Sequence, residues 1–292
     1  MSRHPAARAG LLRQLLRCPT GKYDHEEERQ HWHTRHLDHI GVCFLSVIYM
    51  VMLYALGHGT DPSVPAPPAL VFSAQVVVAI LALFNLYVEL YALPRATKEA
   101  DDDFLVTYGP LGRWVYLTHQ TIGALAVHAI ISVMAPSVSG RLACGSYAAS
   151  PLVGASGVFV TIQYFNLVFS HPDHEKQCQV WAARGVRFGF IDCMRHILPM
   201  IVAVFDIMLK HGDTLRATMP STFGLVCLHF IYVTVFVVAI HFNHCRTGRW
   251  PYSFMKDLGV SATRWLTFLA AQGCILSVCG VALARLANLC LW

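Results

Sequence analysis

Apolar residues in this chain gather into long runs, and polar residues collect between the runs rather than alternating with them. Seven runs reach the ~20 residues that cross a ~30 Å hydrocarbon core at 1.5 Å per residue. They cover about 37–57, 69–93, 114–135, 149–170, 188–209, 222–242 and 265–289. Turn-forming residues separate them: Gly57, Gly59, Pro62, Pro65, Pro67 and Pro68, then Pro94, Pro136, Pro172, Pro220 and Pro251. Short alternating segments of the kind a β-barrel needs are missing. The pattern predicts an all-α, polytopic transmembrane helical bundle of about seven spans, residues 37–292, preceded by a basic, His-rich arm, residues 1–36.

Composition agrees and narrows the class. Of 292 residues, 55% are hydrophobic and 13% charged, about half the ~25% charge of a soluble chain. Such a surface suits neither a cytosolic enzyme nor a nucleic-acid module, despite the formal charge of +5. Lys and Arg outside the spans are one-sided: seven in the arm, three each in the second and fourth loops and four in the sixth, making 17 against three opposite. Positive-inside asymmetry then puts the N-terminus in the cytoplasm and Trp292 on the far side. Residues 6–18 read as an interfacial amphipathic helix or a loose tail, not a signal peptide. Of ten cysteines, only Cys144 is expected in a far-side loop, so no disulfide framework is expected. Cys18, Cys178 and Cys245 are expected as free thiols.

An ionisable residue inside a span is expensive and therefore informative. Span five has the densest set: Asp192, Arg195, His196 and, near its far end, Asp206. Asp192 reaches Arg195 at i+3 and His196 at i+4 on one helical face. This spacing predicts either a self-neutralised Asp192–Arg195 pair or a carboxylate that orients an imidazole. Thr118 lies about 6 Å into span three and His196 about 12 Å into span five, entering from the same side, so the two can meet. His128, about 15 Å deeper than Thr118, cannot join them. His128, His229 and His241 read as core histidines, with a haem pairing poorly matched in depth. Glu89 and Asn85 sit near the cytoplasmic end of span two, and Arg285 can snorkel. In the arm, His25, His31, His33, His36 and His39 with Asp38 have spacings that allow metal binding, but no constellation completes a site. His171 and His174 make only half of a histidine box. Neither a metal nor a cofactor is expected.

Two motifs carry a resemblance. Tyr108-Gly109 followed by Trp114-Val115-Tyr116-Leu117-Thr118 is similar to YG…W-x-[FY]-L-T of the androgen-induced gene 1 family. His244, Thr247, Gly248, Trp250, Tyr252 and Phe254 are similar to its H-x-x-T-G-x-W-x-Y-x-F. The likeness spans about residues 85–290, with span one and the arm as an N-terminal addition. It implies an integral-membrane threonine hydrolase of the endomembrane system or plasma membrane that cleaves fatty acid esters of hydroxy fatty acids. Membrane lipids and a fatty-acyl ester are then its partners, without nucleic acid. The implied nucleophile is Thr118 and the implied base His196. His196 precedes Pro199 by three residues where the family pattern has five, a turn of about 200°. A non-catalytic lipid-binding or transport protein is the alternative on the same scaffold.

Overall fold

The computed structural model describes residues 25–57, 64–99, 111–170, 172–248, 250–252, 254–259 and 261–292, without the side chains of 25–37, 97–99, 112 and 172–173. The stretch 6–18, Cys18, Tyr108, Gly109, His171, Arg249 and Ser253 lie outside the described residues, as do the side chains of His25, His31, His33 and His36.

Among the described residues, seven helices are long and apolar enough to cross a membrane: Asp38–Leu56, Ala69–Ala96, Leu117–Val138, Gly140–Phe169, Phe188–Met208, Thr222–Thr247 and Ala262–Leu289. No strand occurs among the described residues. Large apolar side chains such as Leu70, Phe223 and Leu266 point outward, at 83%, 78% and 67% exposure, as suits helices that face lipid. The protein is a multi-pass helical membrane protein. Span one belongs to a longer helix, His25–Leu56, so the end of the arm runs unbroken into the first crossing.

Span four is the hub and packs against spans one, three, five and seven. Its sequence explains why, because small residues let helix backbones approach closely where lipid removes the hydrophobic drive. A Cβ on Gly145 would meet the Leu53 carbonyl of span one, and one on Gly157 would lie 2.6 Å from the Pro199 carbonyl of span five. The same small residues hide the start of this helix from hydropathy. It begins at Gly140 rather than near 149, with the extended Ser139 as the whole connection from span three. Cys144 is accordingly buried in the helix and in no disulfide among the described residues, not in a far-side loop.

Burial is uneven. More than half of span three is inside the bundle (56%), against 11% of span one. Among the described residues most buried ionisable side chains form two groups, one toward each end of the bundle, while the buried His229 of span six belongs to neither.

Candidate active site

Thr118 is the second residue of the helix Leu117–Val138. A short 3-10 turn, Gly112–Val115, precedes it and seats Trp114 edge-on against His119, ring centres 4.7 Å apart. The second sequence motif anchors the same point. Span six ends at Thr247, whose hydroxyl donates back to the Asn243 carbonyl at 2.8 Å. Gly248 then adopts φ 68°, a left-handed conformation that favours glycine. Trp250 stacks on His244 at 3.8 Å. Two residues on, the Tyr252 hydroxyl accepts the Leu117 N–H at 2.9 Å, satisfying one of the free donors that begin a helix. The stretch between spans six and seven thereby fixes the backbone beside Thr118.

Thr118 and His196 meet. The Thr118 hydroxyl donates to His196 Nε2 at 3.2 Å, and both residues are buried. Both side chains lean toward the helix N-termini on the same side of the bundle, and the longer reach of the His196 imidazole offsets part of the ~6 Å difference in level expected from position along the spans. The short His196-to-Pro199 spacing does not separate the pair. His196 Nδ1–H donates to the Asp192 carbonyl at 2.8 Å and lies 3.3 Å from Asp192 Oδ1. That bond sets the tautomer: with the proton on Nδ1, Nε2 is the acceptor facing the hydroxyl. Tyr164 stacks on the imidazole, ring centres 4.0 Å apart and planes 7° from parallel. The Thr161 hydroxyl donates to the His196 carbonyl, tying span four to this turn.

The expected Asp192–Arg195 pair is only a side contact, at 3.4 Å through Nη1. Arg195 instead turns its fork to Glu89 of span two, donating from Nε at 2.5 Å and from Nη2 at 3.3 Å. Asp192 is then left for two imidazoles, with Oδ2 accepting from His174 Nε2 at 2.9 Å. Beyond Glu89 the network continues. His119 Nδ1–H donates to Glu89 Oε1 at 3.1 Å, and His119 Nε2 lies 3.7 Å from Asp38 Oδ1. Arg113 donates to Asp38 through Nε at 3.0 Å and to the Glu89 carbonyl at 2.5 Å. His119 is thus committed to acids and does not face Thr118.

Glu89, His119, Asp38, Arg113, His174 and Tyr164 were not singled out as site residues from sequence. One signal was present. Glu89 has no basic residue three or four positions away, so a buried Glu89 requires a cation from another helix. Glu89 and Tyr164 also share a local feature, since each lies in a π-helical segment, Val88–Ala92 and Tyr164–Phe169. Such segments recur at functional sites because the extra residue per turn re-aims side chains.

Thr118 and His196 open onto a cavity of about 640 Å³ walled by spans three to seven and the loop carrying Tyr252, Phe254 and Met255. Its wall is largely apolar, with Phe159, Leu167, Val233, Phe236 and Phe268, and no Asp, Glu, Lys or Arg lines it among the described residues. Near helix entry, Cys178 lies 3.9 Å from the His174 ring nitrogens. Burial pushes its thiol pKa up, which keeps it protonated.

The second polar group lies deeper. His128 Nε2–H donates to Asp206 Oδ2 at 2.9 Å, and Tyr49 donates to its Nδ1. Ser150 lies 3.1 Å from Nε2. Lys210 Nζ sits 3.4 Å from Asp206 Oδ1 and donates to Ser132 at 3.0 Å. Burial pushes the Lys210 pKa down, opposed by Asp206.

The fold and the buried polar groups together define a polytopic α-helical membrane protein with a Thr–His pair at an apolar cavity. Among known families, curated proteins and solved structures, none matches this chain.

Proposed function

We propose that the protein is a membrane-embedded hydrolase of lipid esters, with Thr118 as nucleophile and His196 as base. The observation that carries this reading is the 3.2 Å contact from Thr118 Oγ1 to His196 Nε2, with the opposite ring nitrogen held by Asp192. A threonine hydroxyl is a weak nucleophile, and a positioned base contributes roughly 10²–10⁴ in rate. As Oγ1 bonds to the ester carbon, its proton passes to Nε2 and the carbonyl electron pair moves onto oxygen. Collapse breaks the bond to the leaving alkoxide, which takes the proton from Nε2. Water then cleaves the acyl-threonine through the same base. Asp192 stabilises the imidazolium, while Arg195 and Glu89 hold Asp192 in place.

The uncharged, largely apolar wall of the cavity suits an acyl chain. The motif resemblance to the androgen-induced gene 1 family supports fatty acid esters of hydroxy fatty acids as the substrate class. The 17-to-3 distribution of basic residues supports a cytoplasmic N-terminus, which puts the reaction at the cytoplasmic leaflet of an endomembrane or the plasma membrane. The same apolar wall would also suit a non-catalytic lipid carrier. Fluorophosphonate labelling separates the two: label that disappears in Thr118→Ala supports the hydrolase, and an unlabelled wild-type protein supports the carrier.

A further inference from the structure

Ester cleavage by Thr118, the reading on which this inference rests, builds negative charge on the carbonyl oxygen. Donors aimed at that oxygen usually supply the largest share of the acceleration. Most donors around Thr118 are already committed. Arg195 is held by Glu89 and Asp192, His196 Nδ1–H by the Asp192 carbonyl, and the Tyr232 hydroxyl donates to Gln120 Oε1 at 3.2 Å.

Three donors on the cavity wall make no donated bond to a described residue: the amide of Gln272 on span seven, and two that adjoin the reacting pair. Gln163 lines the cavity with Thr118 and His196, and its Nε2 is shut off from solvent with no hydrogen-bond partner. A buried amide left unpaired weakens a fold and asks for an explanation. Tyr252 also lines the cavity. Its oxygen is fixed by the Leu117 N–H at 2.9 Å, while its own proton has no acceptor among the described residues. Each of these two is one residue from a group that touches the reacting pair. Gln163 precedes Tyr164, which stacks on His196, and Tyr252 holds Leu117, which precedes Thr118. Gln163 is also the last residue before the π-helical segment Tyr164–Phe169, where the backbone widens and re-aims its side chains.

We infer that Gln163 Nε2 and the Tyr252 hydroxyl hold the oxyanion formed when Thr118 attacks the ester. Each donates to the oxygen that gains the carbonyl electron pair, and neither gives up its proton. Burial holds the Tyr252 phenol above its usual pKa, so it stays a donor. The positive end of the span-three helix adds to the same field.

The experiment compares full-length wild type, Thr118→Ala, Gln163→Met and Tyr252→Phe on a long-chain 4-methylumbelliferyl ester. Removal of one such donor is expected to lower kcat by about 10²–10³-fold while KM changes little. Binding of a long-chain trifluoromethyl ketone, whose hydrate-like adduct carries the same oxyanion, weakens in parallel. A merely structural role would lower the melting temperature and leave that ketone's advantage over the unreactive methylene analogue unchanged. Gln163→Glu keeps the volume, replaces the donor with an acceptor, and is expected to be impaired at least as far, so the assignment does not hang on the folding of one variant. If wild type is active, Thr118→Ala inert and both folded Gln163 variants keep kcat within about threefold, the assignment of Gln163 is wrong and the hydrolase reading stands. If wild type cleaves no ester and takes no fluorophosphonate, both fall together.

Discussion

The two buried polar groups use nearly the same residue types and end in opposite situations. Toward the helix-entry end, a hydroxyl and an imidazole (Thr118 and His196), backed by the Asp192 carboxylate, face an apolar cavity of about 640 Å³. Toward the other end, Tyr49, His128 and Asp206 repeat the set, but the adjoining recess is only about 200 Å³. There Lys210, Ser132 and Ser150 absorb the remaining hydrogen-bond capacity. None of these six side chains has a buried polar atom without a partner, whereas Gln163 at the first group does. A His–Asp pair in a membrane span is therefore not a site by itself. Access and uncommitted donors distinguish chemistry from a polar pin.

This contrast can be broken experimentally. The largest expected effect is on turnover: His196→Ala lowers ester hydrolysis by roughly 10²–10⁴-fold, the contribution of a positioned base. His128→Ala, in contrast, leaves kcat of the folded protein within a few-fold, and steady-state kinetics on both variants decide it. On stability the order reverses. Asp206→Ala strands Lys210 and His128 in the bundle and is expected to destabilise by about 3–5 kcal/mol, seen as a lower melting temperature with kcat retained. Glu89→Ala strands Arg195 by a similar amount, but turnover falls as well, because Arg195 then competes with His196 for Asp192. Equal activity losses in the Glu89 and Asp206 variants would erase the distinction between the two groups.

Smaller effects sharpen it. Gly248→Ala places a side chain at φ 68° and is expected to destabilise by about 1–2 kcal/mol, with a modest loss of turnover through Tyr252. Cys178→Ser replaces a protonated thiol beside His174 and is expected to leave turnover within about twofold. A larger loss would make that thiol part of the chemistry.

The bundle was legible because lipid imposes span length, and each of the seven predicted runs overlaps one of the crossings found. The early start of span four was not, since its Gly, Ala and Ser residues lower local hydropathy for the reason that makes them good packing surfaces. That Thr118 and His196 can meet was legible from depth, whereas their proposed roles came from the motif resemblance. Glu89 was not joined to them because Asp192 and Arg195 satisfy each other along one dimension. In three dimensions Asp192 serves two histidines, and Arg195 must look to span two. The π-helical segments that bring Glu89 and Tyr164 to the site leave no mark in residue periodicity. The loop motif around Trp250 and Tyr252 was visible as a pattern, but its task of fixing Leu117 beside the nucleophile depends on a contact 135 residues apart in the chain.

The central claim rests on one hydroxyl. Thr118→Ala removes it together with one methyl of the cavity wall and leaves the charge network in place. Purified wild type and variant should be compared for hydrolysis of a fatty acid ester of a hydroxy fatty acid, with melting temperature as the control. The account predicts a loss of at least about a thousandfold at an unchanged melting temperature. Turnover undiminished in the variant would contradict it.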